Sequence, residues 1–385
     1  MRLNSYDDWS PLREVVLGSA ANYSAHEREL SFDLFFYDQL SDKSFYDRMY
    51  YPRLSTPNPG THGGKATRSP IKQRYVEELE EDVEGMAEAL TSLGVRVLRP
   101  LPLADDSLRV ETLAWSAAVV PPLNVRDNTL VLGDEIIETP PQVRSRYFET
   151  QFLTRIFADY HREGARWTVM PRPLMTDNSF DPSYAKGSPG GPAEFIDDPQ
   201  PSPYDVGYEM MFDGAQCLRL GKDLLVNIST ANHAAACDWL ERHLDGRFRI
   251  HRVHGLADNH IDSMVLALRP GLLLVRTPQI AEALPEPLRK WDMIFPPEPR
   301  GNNFPVYDDD DLILTSPYID LNVLSIDPTT VMVNEACPEL AQVLERRGFT
   351  VVPVRHRHRR LFGGGLHCFT LDTVREGSAA EDYLG

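Results

Sequence analysis

Read as apolar and polar positions, the chain repeats one pattern. Two apolar strands flank a tight turn, a helical stretch follows, and a third short strand closes the unit. The first clear copy pairs two strands across Asn128–Pro140 with a turn at Gly133-Asp134, then predicts a helix within residues 141–164 and a strand over 165–171. The second pairs strands across Cys217–Ser229 with a turn at Gly221-Lys222, followed by a helix over about Asn232–Leu244 and the strand Phe248–His254. The third covers His260–Pro278 with a turn at Arg269-Pro270-Gly271, a shorter helix near Ile280–Lys290 and the strand Trp291–Pro297. The fourth uses Leu321–Ala336, a helix over about Pro338–Arg347 and the strand Phe349–His356. A fifth is assembled from both ends of the chain: Leu366–Glu376 lies beside Leu12–Gly18, then come a helix over about Ile71–Leu93 and the strand Val95–Pro100. That closes a ring.

Such a unit cannot bury its apolar strands alone. Packing five of them around an axis covers the strands and sends the strand starts of every unit towards one central pocket. The expectation is therefore an α/β fold built as a pseudo-fivefold ring, with an ordinary mixed α/β sheet as the competing architecture. Residues 1–385 read as a single catalytic domain. Two stretches fall outside the repeat: about 22–69, aromatic-rich and then rich in Pro and Gly, and about 178–205, rich in Pro, Gly, Ser and Asp. Both read as long loops, of the kind that either covers a site or decorates a fold.

Composition narrows the function by exclusion. The chain has 57 acidic against 39 basic residues, a net charge of −18, which argues against a nucleic-acid binder because such proteins need a basic surface to displace phosphate counterions. A small and cationic partner fits better. No window approaches the roughly 18 consecutive apolar residues of a membrane span, and the amino-terminal residues lack the basic and apolar regions of a signal peptide. No membrane partner is expected, and the expected location is the cytoplasm. Cys217, Cys237, Cys337 and Cys368 show no C-x-x-C spacing, so reduced thiols are expected and each is judged singly.

Cys368 stands out. It follows Gly363-Gly364-Gly365-Leu366-His367, and consecutive glycines permit a close backbone approach to a ligand just before a potential nucleophile. The plain alternative is a small residue packed at the start of an apolar strand. Alternating with Cys368 along a strand, His367 points to the opposite face and cannot easily be its base, so a remote histidine is needed. His260 in Asn259-His260-Ile261-Asp262 lies at the mouth of a predicted strand and fits that role. His356 and His358 sit in a basic run read as solvated or acid-pairing, and His161, His233 and His243 lie on or beside predicted helices. Asp213, just ahead of a hairpin, would complete a thiol–imidazole–carboxylate constellation. Asp127, Asp213, His260 and Ser316 each precede or open the first strand of a unit. In a ring they converge with Cys368 on the axis.

These residues carry a resemblance. The motifs SPLREVVLG, RDNTLVLGDEIIETP, RSRYFE, GARWTVMPRP, FDGAQCLRLGKDL, NHID, LNVL and GGGLHCFTLDTVREG together resemble the amidinotransferases, including glycine amidinotransferase and the inosamine-phosphate amidinotransferases. The resemblance implies a five-bladed α/β propeller and ping-pong transfer of an amidino group from L-arginine to an amine, with release of L-ornithine. It implies no metal or organic cofactor, and a setting such as natural-product biosynthesis. By the same resemblance Cys368 is the nucleophile, His260 the general acid and base, and Asp213 its paired carboxylate. Asp127 and Asp262 hold the donor's guanidinium, and Ser316 lies near the donor's amino-acid end. Two departures stand out. The arginine that clamps the donor carboxylate in the family falls near Ile280, where this chain has none, and Arg276 is the nearest substitute; the family's FDAAD is FDGAQ here, with Gln216 in place of the second acid. A homodimer would follow by analogy. The rival readings are a guanidine-modifying hydrolase on the same fold, in which water resolves the intermediate, and a non-catalytic binder of a cationic metabolite.

Overall fold

A computed structural model of the chain describes residues 1–23, 29–32, 34–35, 71–181, 201–254, 256, 260–300, 304–307, 314–378 and 381–384. Most of the two expected loops, and Asn259 of the NHID motif, lie outside the described residues.

The ring of five units is present. Its sheets have three strands each, with the same pairing: the first two antiparallel, the third parallel to the second. One joins β1 (Leu12–Leu17) to the carboxy-terminal β17 (Thr370–Arg375) and to β2 (Arg96–Leu98). The next joins β5 (Thr129–Leu132), β6 (Glu135–Glu138) and β7 (Arg166–Val169). Then come β8 (Cys217–Leu220), β9 (Asp223–Ile228) and β10 (Arg249–His254). The last two are β11 (Val265–Arg269), β12 (Leu272–Val275) and β13 (Asp292–Ile294), and β14 (Leu324–Asp327), β15 (Thr330–Asn334) and β16 (Thr350–Val354). The parallel step requires a crossover, and the helix in each unit supplies it. A hairpin of β3 (Arg109–Glu111) and β4 (Ser116–Ala118) stands outside the repeat and was not expected from the apolar pattern.

The helices agree with the pattern where apolar spacing is strong. In α1 (Gln73–Ser92) Tyr75, Val76, Leu79, Val83, Met86 and Leu90 recur at three- and four-residue intervals and are buried against residues of β1 and β15 such as Val15 and Met332. Each such side chain contributes about 1.5–3 kcal/mol by leaving water. The expected helix of the first unit is α-helical only in α2 (Thr154–Arg162), preceded by 3-10 turns at Arg144–Arg146 and Glu149–Leu153. There Arg144, Arg146 and Glu149 are held by buried ionic bonds rather than by an apolar face. The second unit has α3 (Ala231–Leu244), capped by the Thr230 side chain accepting from His233 N. In the third unit the single expected helix is two short ones, α4 (Pro278–Ala283) and α5 (Glu286–Arg289), because Pro285 sits between them and Pro287 follows. The fourth has α6 (Pro338–Arg346).

At the axis the apolar layers give way to buried ions. Arg219 of β8 bonds Asp8 through Nε at 3.1 Å and Asp372 of β17 through Nη2 at 2.5 Å, while Nη1 donates to Ser5 Oγ at 2.6 Å. Arg126, just before β5, bonds Asp372 and donates from Nε to the His367 carbonyl at 2.9 Å. Arg375 bonds Asp372 at 2.6 Å and the Ser325 carbonyl of β14 at 2.9 Å. The basic run at Arg355–Arg360 is not solvated as a whole. Arg355 and Arg357 pair with Asp82 of α1, and His356, His358, Arg359 and Arg360 are buried.

Replacing Arg219 with Met leaves Asp8 and Asp372 short of a countercharge, so a loss of about 3–5 kcal/mol is expected in denaturant titrations; a loss below about 1 kcal/mol would contradict the ledger. The Arg219 charge holds Asp8, and Arg126, Arg219 and Arg375 hold Asp372, below the ordinary carboxylate range against the effect of burial. Folded values below the unfolded value of about 4 mean that this stabilisation is full above pH ~4 and is lost as the pH falls further.

Candidate active site

The expected residues other than Arg276, which follows β12, sit in the turn that enters the first strand of their unit. Asp127 is two residues before β5. Asp213 caps the 3-10 turn Gly214–Gln216 before β8, His260 precedes the 3-10 turn Ile261–Ser263 before β11, Ser316 caps the 3-10 turn Pro317–Leu321 before β14, and Cys368 is two residues before β17. The ring directs these turns inward.

His260 is the centre of one half. Its Nε2 is 2.8 Å from Asp213 Oδ2 and its Nδ1 is 3.8 Å from Asp127 Oδ1, and the Phe35 ring meets it edge-on at 5.4 Å. Burial works against the charged ring, but Asp127, Asp213 and Asp262 outweigh it and raise His260 to about 9. It is an imidazolium at neutral pH. Asp127 accepts from Arg146 Nη1 at 2.6 Å through its other oxygen, and Arg146 also grips Glu149. Burial raises Asp127 against the pull of His260 and Arg146, which leaves a carboxylate that a bound cation would stabilise.

Cys368 belongs to the other half. Its Sγ is 3.5 Å from Asp262 Oδ2, and its backbone N–H donates to Asn322 Oδ1 at 2.8 Å. The glycines before it are needed for approach: a Cβ on Gly365 would stand 2.5 Å from the Asn322 Cβ, and one on Gly364 2.8 Å from the Phe369 ring. Burial, then Asp262 and Asp127, push the thiol well above its ordinary value. It needs a positive charge nearby to ionise.

His367 departs from the expectation. The segment before β17 is a turn, not a strand, so alternation does not apply; His367 Nδ1 lies 2.8 Å from the same Asp262 oxygen that faces the thiol. Gln216 also acquires a role. Its side chain accepts from the Asp213 N–H at 2.9 Å and from Gln142 at 3.0 Å, and donates to the Asn227 carbonyl, so it fixes the turn that presents Asp213. Arg276 and Ser316 do come together, with Nη2 3.5 Å from Oγ and the guanidinium 4.7 Å from the Tyr318 ring centre. The sequence reading missed Arg146, Asn322 and Phe35. Asn322 lies inside the LNVL motif as a polar residue in otherwise apolar surroundings, a signal that was available; Arg146, among the polar residues of RSRYFE, and Phe35 give no such signal.

One feature of the centre is common to its carboxylates: Asp127 Oδ1, Asp213 Oδ1 and Asp262 Oδ1 are buried without a hydrogen-bond partner among the described residues. Unsatisfied buried acceptors are costly, and a planar cation with several N–H donors would satisfy them. Ligand atoms of Asp127, Asp213 and His260 also lie within 4.8 Å of one another, a spacing that a metal ion could span. The adjacent Arg146 guanidinium and the imidazolium of His260 oppose a divalent charge there.

A propeller with a thiol, an imidazolium and carboxylates at its hub defines a class of guanidine-handling enzymes, and similarity narrows it. The chain is 30% identical over 375 residues to inosamine-phosphate amidinotransferase 1 of Streptomyces glaucescens, covering 97% of each. It is 30% identical over 390 residues to mitochondrial glycine amidinotransferase of Gallus gallus, covering 97% of this chain and 83% of that one. The solved inosamine-phosphate amidinotransferase StrB1 of Streptomyces griseus superposes with a TM-score of 0.78 at 29% identity, covering 100% and 99% of the two chains. No protein-family model matches. The chain belongs to the amidinotransferase family, and its activity is amidino transfer. No helix among the described residues is long and apolar enough to cross a membrane.

Because the Arg146 guanidinium adjoins the Asp127–Asp213–His260 cluster and His260 is itself charged, dialysis against a chelator is expected to leave turnover unchanged; loss of activity restored by a divalent ion would contradict this.

Proposed function

We propose that the enzyme takes the amidino group from L-arginine onto Cys368 and passes it to an acceptor amine, releasing L-ornithine. The observation that carries this reading is the set of unpartnered oxygens on Asp127, Asp213 and Asp262 beside a thiol and an imidazolium. A guanidinium is a poor electrophile; carboxylates that bind its N–H groups hold it in place for attack at the central carbon.

Arginine brings its own positive charge, which lowers the cost of the Cys368 thiolate, and the thiol proton leaves to solvent as the donor binds. The sulfur attacks the central carbon, and the C–N bond to the ornithine nitrogen breaks as His260 gives its proton to that nitrogen. An S-amidino cysteine remains. The acceptor then enters the vacated space, attacks the same carbon, and loses a proton to the now neutral His260 as the carbon–sulfur bond breaks. Asp213 keeps the imidazole oriented through both halves. Arg276 and Ser316 are assigned to the donor's carboxylate, on the support of their proximity. No metal or organic cofactor enters this chemistry, and the location proposed is the cytoplasm.

The acceptor is a primary amine of a small metabolite, by analogy with relatives named for inosamine phosphate and for glycine, and a role in natural-product biosynthesis is proposed on the same ground. Phe35, whose ring meets His260 edge-on, belongs to the stretch read as a long loop that either covers a site or decorates the fold, and we assign it to the cover.

Incubation with arginine and a panel of amines, followed by mass spectrometry, is expected to give ornithine and a guanidinylated amine in equal amounts, and neither with Cys368→Ala. Citrulline formed without an amine would overturn transfer in favour of hydrolysis. Asp213→Asn is expected to lower kcat by about 10²–10⁴-fold. The donor half-reaction needs protonated His260 together with an ionised Cys368, so its high-pH limb falls as the pH rises through the folded His260 value of about 9, which ornithine release measured against pH will show.

A further inference from the structure

His367 has no part in the steps above, yet it is built into the site. It is buried, its carbonyl is held by Arg126 Nε at 2.9 Å, and its N–H donates to the Asn322 carbonyl at 3.2 Å. Its ring lies between two carboxylates: Nδ1 is 2.8 Å from Asp262 Oδ2, and Nε2, without a hydrogen-bond partner among the described residues, is 3.9 Å from Asp8 Oδ1. The Asp262 oxygen that meets Nδ1 is the one 3.5 Å from Cys368 Sγ.

The charges around the ring come from every unit packed against it. Asp8 precedes β1, Arg126 precedes β5, Arg219 is on β8, Asp262 precedes β11, and Asp372 and Arg375 are on β17. Arg126, Arg219 and Arg375 pair with Asp8 and Asp372, whereas Asp262 has His367 as its ion-pair partner. The His367 ring therefore acts on Asp262 and, through it, on the adjacent Cys368.

Resting on the reading of Cys368 as nucleophile, we infer that His367 is a positioning residue: held between Asp8 and Asp262, it pairs with Asp262 and offsets the anion against which the Cys368 thiolate forms. Asp262 otherwise stands as a bare anion beside the sulfur and opposes its ionisation, as its contribution to the raised thiol shows. Burial also raises Asp262 itself, and the hydrogen bond and charge of His367, with His260 and Arg126, overcome this and hold the carboxyl below its ordinary range. The same pairing occupies Oδ2, so Oδ1 is the oxygen left for the donor. One carboxylate can then bind a guanidinium without repelling the thiolate that attacks it.

The test mixes the full-length enzyme rapidly with arginine in the absence of amine and follows the ornithine burst against pH. His367→Asn keeps a donor for Asp262 but carries no charge. It is expected to slow the burst by about ten- to a hundredfold at neutral pH, to recover in part as the pH rises towards the His260 value of about 9, and to change the donor KM less than kcat. Alkylation of Cys368 by iodoacetamide in the donor-free enzyme should shift to higher pH in parallel. Asp8→Asn is expected to shift the profile in the same direction, and the double variant to be no slower than His367→Asn alone. A slowing by the same factor at every pH, or an unshifted alkylation profile, would mean that His367 is only structural and would overturn the inference. Should His367→Asn not fold, His367→Gln is read in the same way. A wild type that releases no ornithine removes the reading beneath this inference, whereas a bursting wild type with an unshifted variant removes this inference alone.

Discussion

The buried bonds of Arg219 and Arg126 to Asp8 and Asp372 are the constraint on which the arrangement depends. They join residues from the amino-terminal segment, the turn before β5, β8 and β17, and Arg375 carries the link to β14. A ring of five similar sheets has no covalent reason to close, and its two ends belong to one sheet, β17 against β1. Buried ion pairs give less net stability than apolar packing of the same volume. Their directionality is what matters here: an Arg–Asp bond is met in one relative placement of two strands, and that placement sets the turns above it.

Those turns carry the chemistry. Asp127, Asp213, His260, Asp262 and Cys368 each lie within a few residues of a strand start, so the scaffold that fixes the hub also fixes the site. The site is charge-rich and buried, which is why its groups depart so far from ordinary titration: His260 rises to about 9 while the Cys368 thiol is pushed well above its ordinary value. On the proposed chemistry both departures are answered by one cation, the guanidinium of the donor. It fills the unpartnered carboxylate oxygens and offsets the charge of the thiolate that attacks it.

Much of this was legible in the sequence. Apolar runs across tight turns located all five sheets, including the one made from both ends, because strands buried on both faces require them. The catalytic candidates were legible by position, as polar residues at the entrances of apolar strands. What the sequence concealed depended on partners distant along the chain. His367 was assigned to a strand face, whereas the turn at Gly363–Phe369 aims it at Asp262. Gln216 read as a lost acid, and only its bonds to Asp213 N, Gln142 and Asn227 show it as the clasp of a turn. The 3-10 turns around Arg146 follow ionic partners rather than apolar spacing, so periodicity could not place them.

The account's central claim is that the amidino group rests on Cys368 between donor and acceptor. The most direct measurement is intact-protein mass spectrometry after mixing with arginine alone, followed by peptide mapping. The account predicts a mass gain of one amidino group, confined to the peptide that carries Cys368 and discharged when an accepted amine is added. An enzyme that turns over without ever showing that adduct, or shows it on another residue, would contradict the account.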